Sequence, residues 1–242
     1  MTLLAVQALS KFFGGLQALK DISFAARAGE ILGIMGANGA GKTTLFSLIA
    51  GHERPSRGAI RFEGRRIDGM RPDRICRAGI VRTFQIVRPF SAMSVLDNVR
   101  TAALFGRRQE RSHARATAQA REILAELGLA DRAEDAAATL TLSAQKRLEI
   151  ARALATAPKL ILLDEVMAGL TATEINEFLA AIRRIKERRD LTILVVEHVM
   201  QALMQLSDRV VVLHHGELIA EGTPKAVAED ERVIAAYLGQ PT

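Results

Sequence analysis

Short, wholly apolar runs alternate with amphipathic stretches along this chain. Residues 31–35, 160–163 and 192–196 are apolar almost throughout, the pattern of strands buried on both faces of a parallel sheet. Residues 3–9, 18–25, 59–62 and 80–85 read as further strands, and 210–213 with 218–221 as a hairpin around His214-His215-Gly216-Glu217. Lys11-Phe12-Phe13-Gly14-Gly15 is predicted as a turn that carries two aromatics. The helical period appears at 44–50, 71–78, 114–127, 143–156, 173–188, 199–206, 225–228 and 232–238. Ser94-Val95-Leu96-Asp97 looks like a capped helix start. Between 94 and 158 no convincing strand occurs. The chain is therefore expected to be one α/β domain, with 1–93 and 159–242 as a core and 94–158 as an inserted, mostly helical subdomain.

The turn after the run at 31–35 carries the first candidate chemistry. Gly36-Ala37-Asn38-Gly39-Ala40-Gly41-Lys42-Thr43-Thr44 fits the phosphate-loop pattern G-x-x-x-x-G-K-[ST]. A strand before it and a helix after it supply the context the motif needs. Glycines let the backbone approach an oxyanion closely. Successive N–H groups and the positive end of the following helix then favour anions. Lys42 offers a point charge to the β- and γ-phosphates, and the Thr43 hydroxyl can ligate Mg²⁺. The motif specifies a nucleoside triphosphate, without saying which base or what the energy drives.

Composition narrows the setting. The 242 residues are 49% hydrophobic and 25% charged, ordinary for a globular protein. Lys and Arg number 33 against 27 Asp and Glu, a net charge of +6; this balance suits an anionic partner, whether nucleotide, nucleic acid or anionic membrane. Aromatics are only 4% and tryptophan is absent, which leaves few platforms for stacking single-stranded nucleic acid. The charge run Arg107-Arg108-Gln109-Glu110-Arg111 is read as a solvated loop. Cys76 is the single cysteine, so an internal disulfide is impossible. Residues 1–7 lack the basic stretch and long apolar run of a signal peptide, and no run reaches the ~18 apolar residues of a membrane span. Membrane association is expected to come through a partner.

A second constellation follows the run at 160–163. Asp164-Glu165 closes it, and behind a phosphate loop such an acid reads as the carboxylate near Mg²⁺. Its neighbour Glu165 is placed to polarise an attacking water. His198 follows the run at 192–196, and parallel strands of one sheet bring their C-terminal ends to one edge.

With these residues in hand, the chain resembles the ATP-binding subunits of ABC transporters nearly end to end. The phosphate loop, Gln85, the helical segment, Asp164-Glu165, Ala168-Gly169-Leu170 and His198 fall in that family's order. Phe13-Gly14-Gly15-Leu16, Gly79-Ile80-Val81-Arg82-Thr83-Phe84-Gln85, Arg147-Leu148-Glu149-Ile150-Ala151-Arg152 and Ala236-Tyr237-Leu238-Gly239 are similar to its branched-chain amino acid importer ATPases. The resemblance implies a P-loop α/β fold, ATP and Mg²⁺ as cofactors, and a peripheral place on the cytoplasmic face of the membrane. It implies permease subunits, a second ABC ATPase (a paralogue or another copy) and an external solute-binding protein as partners, and no nucleic acid. It implies that Phe13 stacks on adenine and that the stretch from Gly36 to Thr44 holds the phosphates. Thr43, Gln85 and Asp164 would surround Mg²⁺, Glu165 would be the general base and His198 the γ-phosphate sensor.

Two departures stand out. Where the family has Leu-Ser-Gly-Gly-Gln, an ungapped count gives Leu140-Thr141-Leu142-Ser143-Ala144; a one-residue gap would instead align Leu142-Ser143. Loss of the glycines should weaken backbone contact with a γ-phosphate on the partner's phosphate loop. Ser143 is a candidate cap for the helix that follows, which would bring its hydroxyl to that phosphate. Val166 stands where the family usually has proline, with little expected consequence. The expected protein is an ATPase that powers import through separate permeases. The alternatives are a regulatory subunit with weak hydrolysis and a lipid-export ATPase. A nucleic-acid ATPase is disfavoured by the scarce aromatics and the lack of a second nucleotide domain.

Overall fold

The computed structural model describes residues 1–84 and 89–238. The chain forms two compact units, Met1–Pro72 with Thr192–Thr242, and Asp73–Leu191. The helical stretch expected at 94–158 falls within the second.

The first unit opens with a hairpin of β1 (Thr2–Phe13) and β2 (Leu16–Arg27), antiparallel throughout. Phe12 and Phe13 are not in the turn, as the sequence suggested, but on the ladder, opposite Gln17 and Leu16. Gly14, at φ +56°, allows a turn of two residues, and the β-prone phenylalanines stay paired. Mid-strand, Ala8 adopts φ +43° where the register shifts between Val6 and Leu9. This bulge breaks simple alternation and turns Leu9, Ser10 and Lys11 inward together. Next come β3 (Ile31–Met35), α1 (Lys42–Ile49), β4 (Arg57–Phe62) and β5 (Arg65–Arg66). The antiparallel sheet has the order β2-β1-β4-β5. Leu4, Leu9, Leu19, Ile22 and Ile60 are fully buried beneath it, each worth about 1.5–3 kcal/mol of transfer energy.

The second unit runs through α2 (Pro72–Ala78), which opens at the boundary, then β6 (Ile80–Arg82), α3 (Val95–Phe105), α4 (His113–Glu126), α5 (Leu142–Ala155), β7 (Leu160–Asp164) and α6 (Ala172–Arg189). Strands β6 and β7 are parallel, with Ile80 opposite Leu160 and Arg82 opposite Leu162. The predicted strand at 80–85 thus ends at Arg82 within the described residues; Gln85 lies outside them. Ser94 caps α3 as expected, accepting from the Asp97 N–H at 3.0 Å. The α3 helix packs on α4 and α5, and the buried Asn98 amide hydrogen-bonds both backbone groups of Phe90. Helix α6 begins with a capping box that joins Thr171 and Glu174.

The chain returns to the first unit with β8 (Thr192–Val196), α7 (Met200–Leu206), the hairpin β9 (Arg209–His214) and β10 (Glu217–Gly222), and helices α8 (Pro224–Ala228) and α9 (Glu231–Leu238). Strand β3 lies between β8 and β9, parallel to both. The starts of these three strands are tied by polar contacts. The Gly29 N–H donates to Thr192 Oγ1 at 2.9 Å, and the Ile31 N–H to Asp208 Oδ2 at 2.8 Å. Arg209 Nε meets Glu30 Oε1 at 2.8 Å. Burial pushes the Glu30 carboxyl up, but hydrogen bonds from Arg209 and the Arg27 N–H prevail and hold it below its ordinary value. The β3–α1 turn therefore emerges from the opposite end of a well-fixed strand.

Candidate functional site

The phosphate loop leaves β3 at Gly36. A Cβ there would lie 2.5 Å from the Leu213 carbonyl oxygen at the end of β9, so only glycine lets the chain pass. Gly41 is the N-cap of α1 at φ +103°, and a Cβ on it would meet Leu19 at 2.5 Å. Ala37, Asn38 and Gly39 are exposed and Ala40 is buried between them and the helix. The α1 helix has no side-chain cap, so its first N–H groups remain available for an anion. Lys42 is only 5% exposed, and its Nζ donates to the Gly36 and Ala37 carbonyls at 2.6 and 3.0 Å. The ammonium is thereby held against the loop it would help charge. Thr43, next along, is exposed and Thr44 half-buried.

Elsewhere in the first unit, Phe13 is half-exposed, with the Lys11 ammonium 4.6 Å from its ring centroid; Lys11 itself is paired with Glu53 at 2.8 Å. His198 is exposed just after β8, behind the buried Glu197. One contact was not foreseen. Burial pushes the Tyr237 phenol on α9 up, and the Gly36 N–H pulls it partly back. The only sequence signal for it was the Ala236-Tyr237-Leu238-Gly239 element.

In the second unit Asp164 ends β7 and is 3% exposed. Its N–H donates to Thr83 Oγ1 at 3.1 Å, and its Oδ2 accepts from Arg82 Nη2 at 2.6 Å. Glu165, 7% exposed, takes φ +52°, rare for a residue with a side chain. Lys146, buried on α5, donates to the Glu165 carbonyl at 3.4 Å and the Ala168 carbonyl at 2.6 Å. It thus fixes the turn that leads Glu165 off the strand. Glu149 accepts the Phe84 N–H at 2.6 Å. Burial pushes its carboxyl up, against the pull of that N–H, Arg152 and Lys146.

The structure corrects the expected cap of α5. Thr141, not Ser143, is the N-cap, and its Oγ1 accepts from the Ala144 N–H at 3.4 Å. Ser143 sits within the first turn of the helix and is half-buried. Leu140 is buried, while Leu142 is 47% exposed and its Cδ2 would lie 3.1 Å from a Cβ on Gly169. The ungapped count places a hydroxyl, that of Thr141, where the family pattern has serine. Among the described residues no group of three or more His, Cys, Asp or Glu gathers to hold a metal ion.

A family model described as ABC transporter matches residues 19–168, and one described as branched-chain amino acid ATP-binding cassette transporter matches 217–241. The high-affinity branched-chain amino acid transport ATP-binding protein LivG of Salmonella typhimurium is 38% identical over 250 residues, with 98% of each chain covered. BraF of Pseudomonas aeruginosa, of the same description, is 37% identical with the same coverage. The phosphonates import ATP-binding protein PhnC of Thiobacillus denitrificans is 36% identical over 93% of this chain and 88% of its own. The ATP-binding cassette MJ1267, solved in its ADP conformation, is 30% identical with a TM-score of 0.88, covering 99% of this chain and all of that one. The chain belongs to the ABC transporter family. It is an ATP-binding, ATP-hydrolysing subunit of an ABC importer, which implies membrane permease partners. No helix among the described residues is long and apolar enough to cross a membrane.

Proposed function

We propose that this subunit powers the import of branched-chain or closely related amino acids, from a peripheral position on the cytoplasmic face of the membrane. The observation that carries the solute class is the match at residues 217–241; the shared phosphate loop alone would not separate this chain from a phosphonate importer's ATPase. Residues Gly36 to Thr44 hold the triphosphate on loop N–H groups, the α1 N-terminus and Lys42, and Phe13 stacks on the base. Thr43 and Asp164 offer a hydroxyl and a carboxylate, the hard oxygen donors that Mg²⁺ takes together with phosphate oxygens; Gln85 completes the expected set. When bound, Mg²⁺ neutralises phosphate charge. Glu165 takes the proton of the attacking water, and His198 contacts the γ-phosphate. The partners are permease subunits, a second ABC ATPase and an external solute-binding protein.

The altered signature favours a refinement. Leu142 and Ser143 replace glycine at the start of α5, so the site built on the partner's phosphate loop receives side chains where backbone N–H groups would otherwise meet phosphate. That site is slow, and this chain's own phosphate loop, completed by a paralogue's intact signature, carries turnover.

Vesicles that hold this chain with its permeases and second ATPase test the solute class. With the binding protein outside and ATP inside, they should accumulate labelled leucine, competed by valine and isoleucine and not by methylphosphonate. Uptake of phosphonate with no uptake of any branched-chain amino acid would refute the assignment.

A further inference from the structure

Arg82 and Asp164 form a buried ion pair at 2.6 Å, with side chains 9% and 4% exposed. The pairing follows from the backbone. Arg82 lies opposite Leu162 in the parallel ladder, and Asp164, two residues on, shares Leu162's face. The Thr83 hydroxyl is hydrogen-bonded to the Leu162 carbonyl at 3.3 Å and accepts the Asp164 N–H at 3.1 Å, so the two strands cannot slide. The arginine therefore sits on the carboxylate that the proposed function gives to Mg²⁺.

We infer that Arg82 is a positioning residue that stands in for the metal. It holds the Asp164 carboxylate paired and aimed while no cation is bound, and it would compete with Mg²⁺ for that carboxylate. The physical reason is a conflict of charges. A carboxylate this buried is expensive to leave unpaired. A guanidinium already on it repels an arriving dication, which must displace it. The arginine has somewhere to go: its guanidinium carbon lies 5.6 Å from the centroid of the Phe84 ring, which is 47% exposed, and an aromatic face can hold a cation released from a carboxylate. A purely structural ion pair would instead fix Asp164 for the metal, and its loss would weaken metal binding. The two accounts predict opposite signs.

This inference rests on the reading of Asp164 as a metal ligand, and the experiment separates the two. Affinity for a fluorescent ATP analogue is measured on the full chain, with excess Mg²⁺ and with EDTA, and the ratio of the two affinities is the readout. Arg82→Gln should raise the ratio about tenfold, the scale of one charge-assisted hydrogen bond. A ratio unchanged or lowered in folded Arg82→Gln overturns the proposal. Should that variant fail to fold, Arg82→Lys keeps the charge but loses the fork geometry; a rise of roughly two- to threefold supports the proposal, and no rise overturns it. Asp164→Asn should collapse the ratio of the parent chain. If it does not, Asp164 is no metal ligand and the Arg82 proposal falls with that reading; if it does while Arg82→Gln leaves the ratio flat, only the Arg82 proposal falls.

Discussion

Glu165→Gln leaves ATP bound and lowers steady-state turnover of the assembled transporter by roughly 10²–10⁴-fold, the contribution of a general base. The residue follows Asp164 directly but leaves the strand in a left-handed conformation, φ +52°, which removes it from the strand's alternation. Its carbonyl is gripped by Lys146, so the turn holds whatever the side chain does. Glutamine preserves size and packing in a site only 7% exposed, and it cannot take up a proton. The unequal-site refinement adds a second expectation. The equivalent change in the partner ATPase should be mild, because that base serves the site completed here by Thr141, Leu142, Ser143 and Ala144. Equal losses from the two changes would show that this altered signature works as well as the usual one. A rate unchanged by Glu165→Gln would remove the base assignment itself.

Lys42→Ala weakens ATP binding by about 1.5–3 kcal/mol, or roughly 10- to 150-fold in Kd. The Lys42 ammonium is almost wholly buried and bonded to two loop carbonyls, so it is aimed before nucleotide arrives and loses little freedom on binding. Alanine removes both the charge and those two contacts. A thermal melt alongside the titration separates lost phosphate binding from a loosened loop. Unchanged affinity in a variant that melts like the parent would mean that the nucleotide sits elsewhere.

What could be read from the sequence and what could not divides along local and non-local lines. The phosphate loop was legible because its determinants are contiguous: an apolar run, glycines at fixed offsets, then a helix. The strands β3, β7 and β8 were legible as unbroken apolar runs. The α5 cap is ambiguous in sequence because Thr141 and Ser143 are both good caps two residues apart, and only the backbone turn of Thr141, extended at ψ 163°, decides between them. Phe12 and Phe13 read as part of a turn that two glycines suffice to make. Strand β5, two residues long, leaves no periodicity to detect. The Arg82–Asp164 pair and the Tyr237–Gly36 contact join residues 82 and 201 positions apart, through a register or a helix docking that no local pattern encodes. Asp164 and Glu165 were found as a strand-ending acid pair, but the left-handed turn that separates their directions was not visible, since nothing in the sequence distinguishes Glu165 from an ordinary strand residue.

The most direct measurement identifies the nucleotide retained on this chain in the reconstituted complex. The complex is incubated with radiolabelled 8-azido-ATP and Mg²⁺, freed of unbound nucleotide, cross-linked by light, and the label on this subunit is analysed. In the Glu165→Gln complex it should be the triphosphate, retained and uncleaved; in the parent it should be the diphosphate. Diphosphate formed on the Glu165→Gln chain as fast as on the parent would contradict the account, and so would label found only on the partner ATPase.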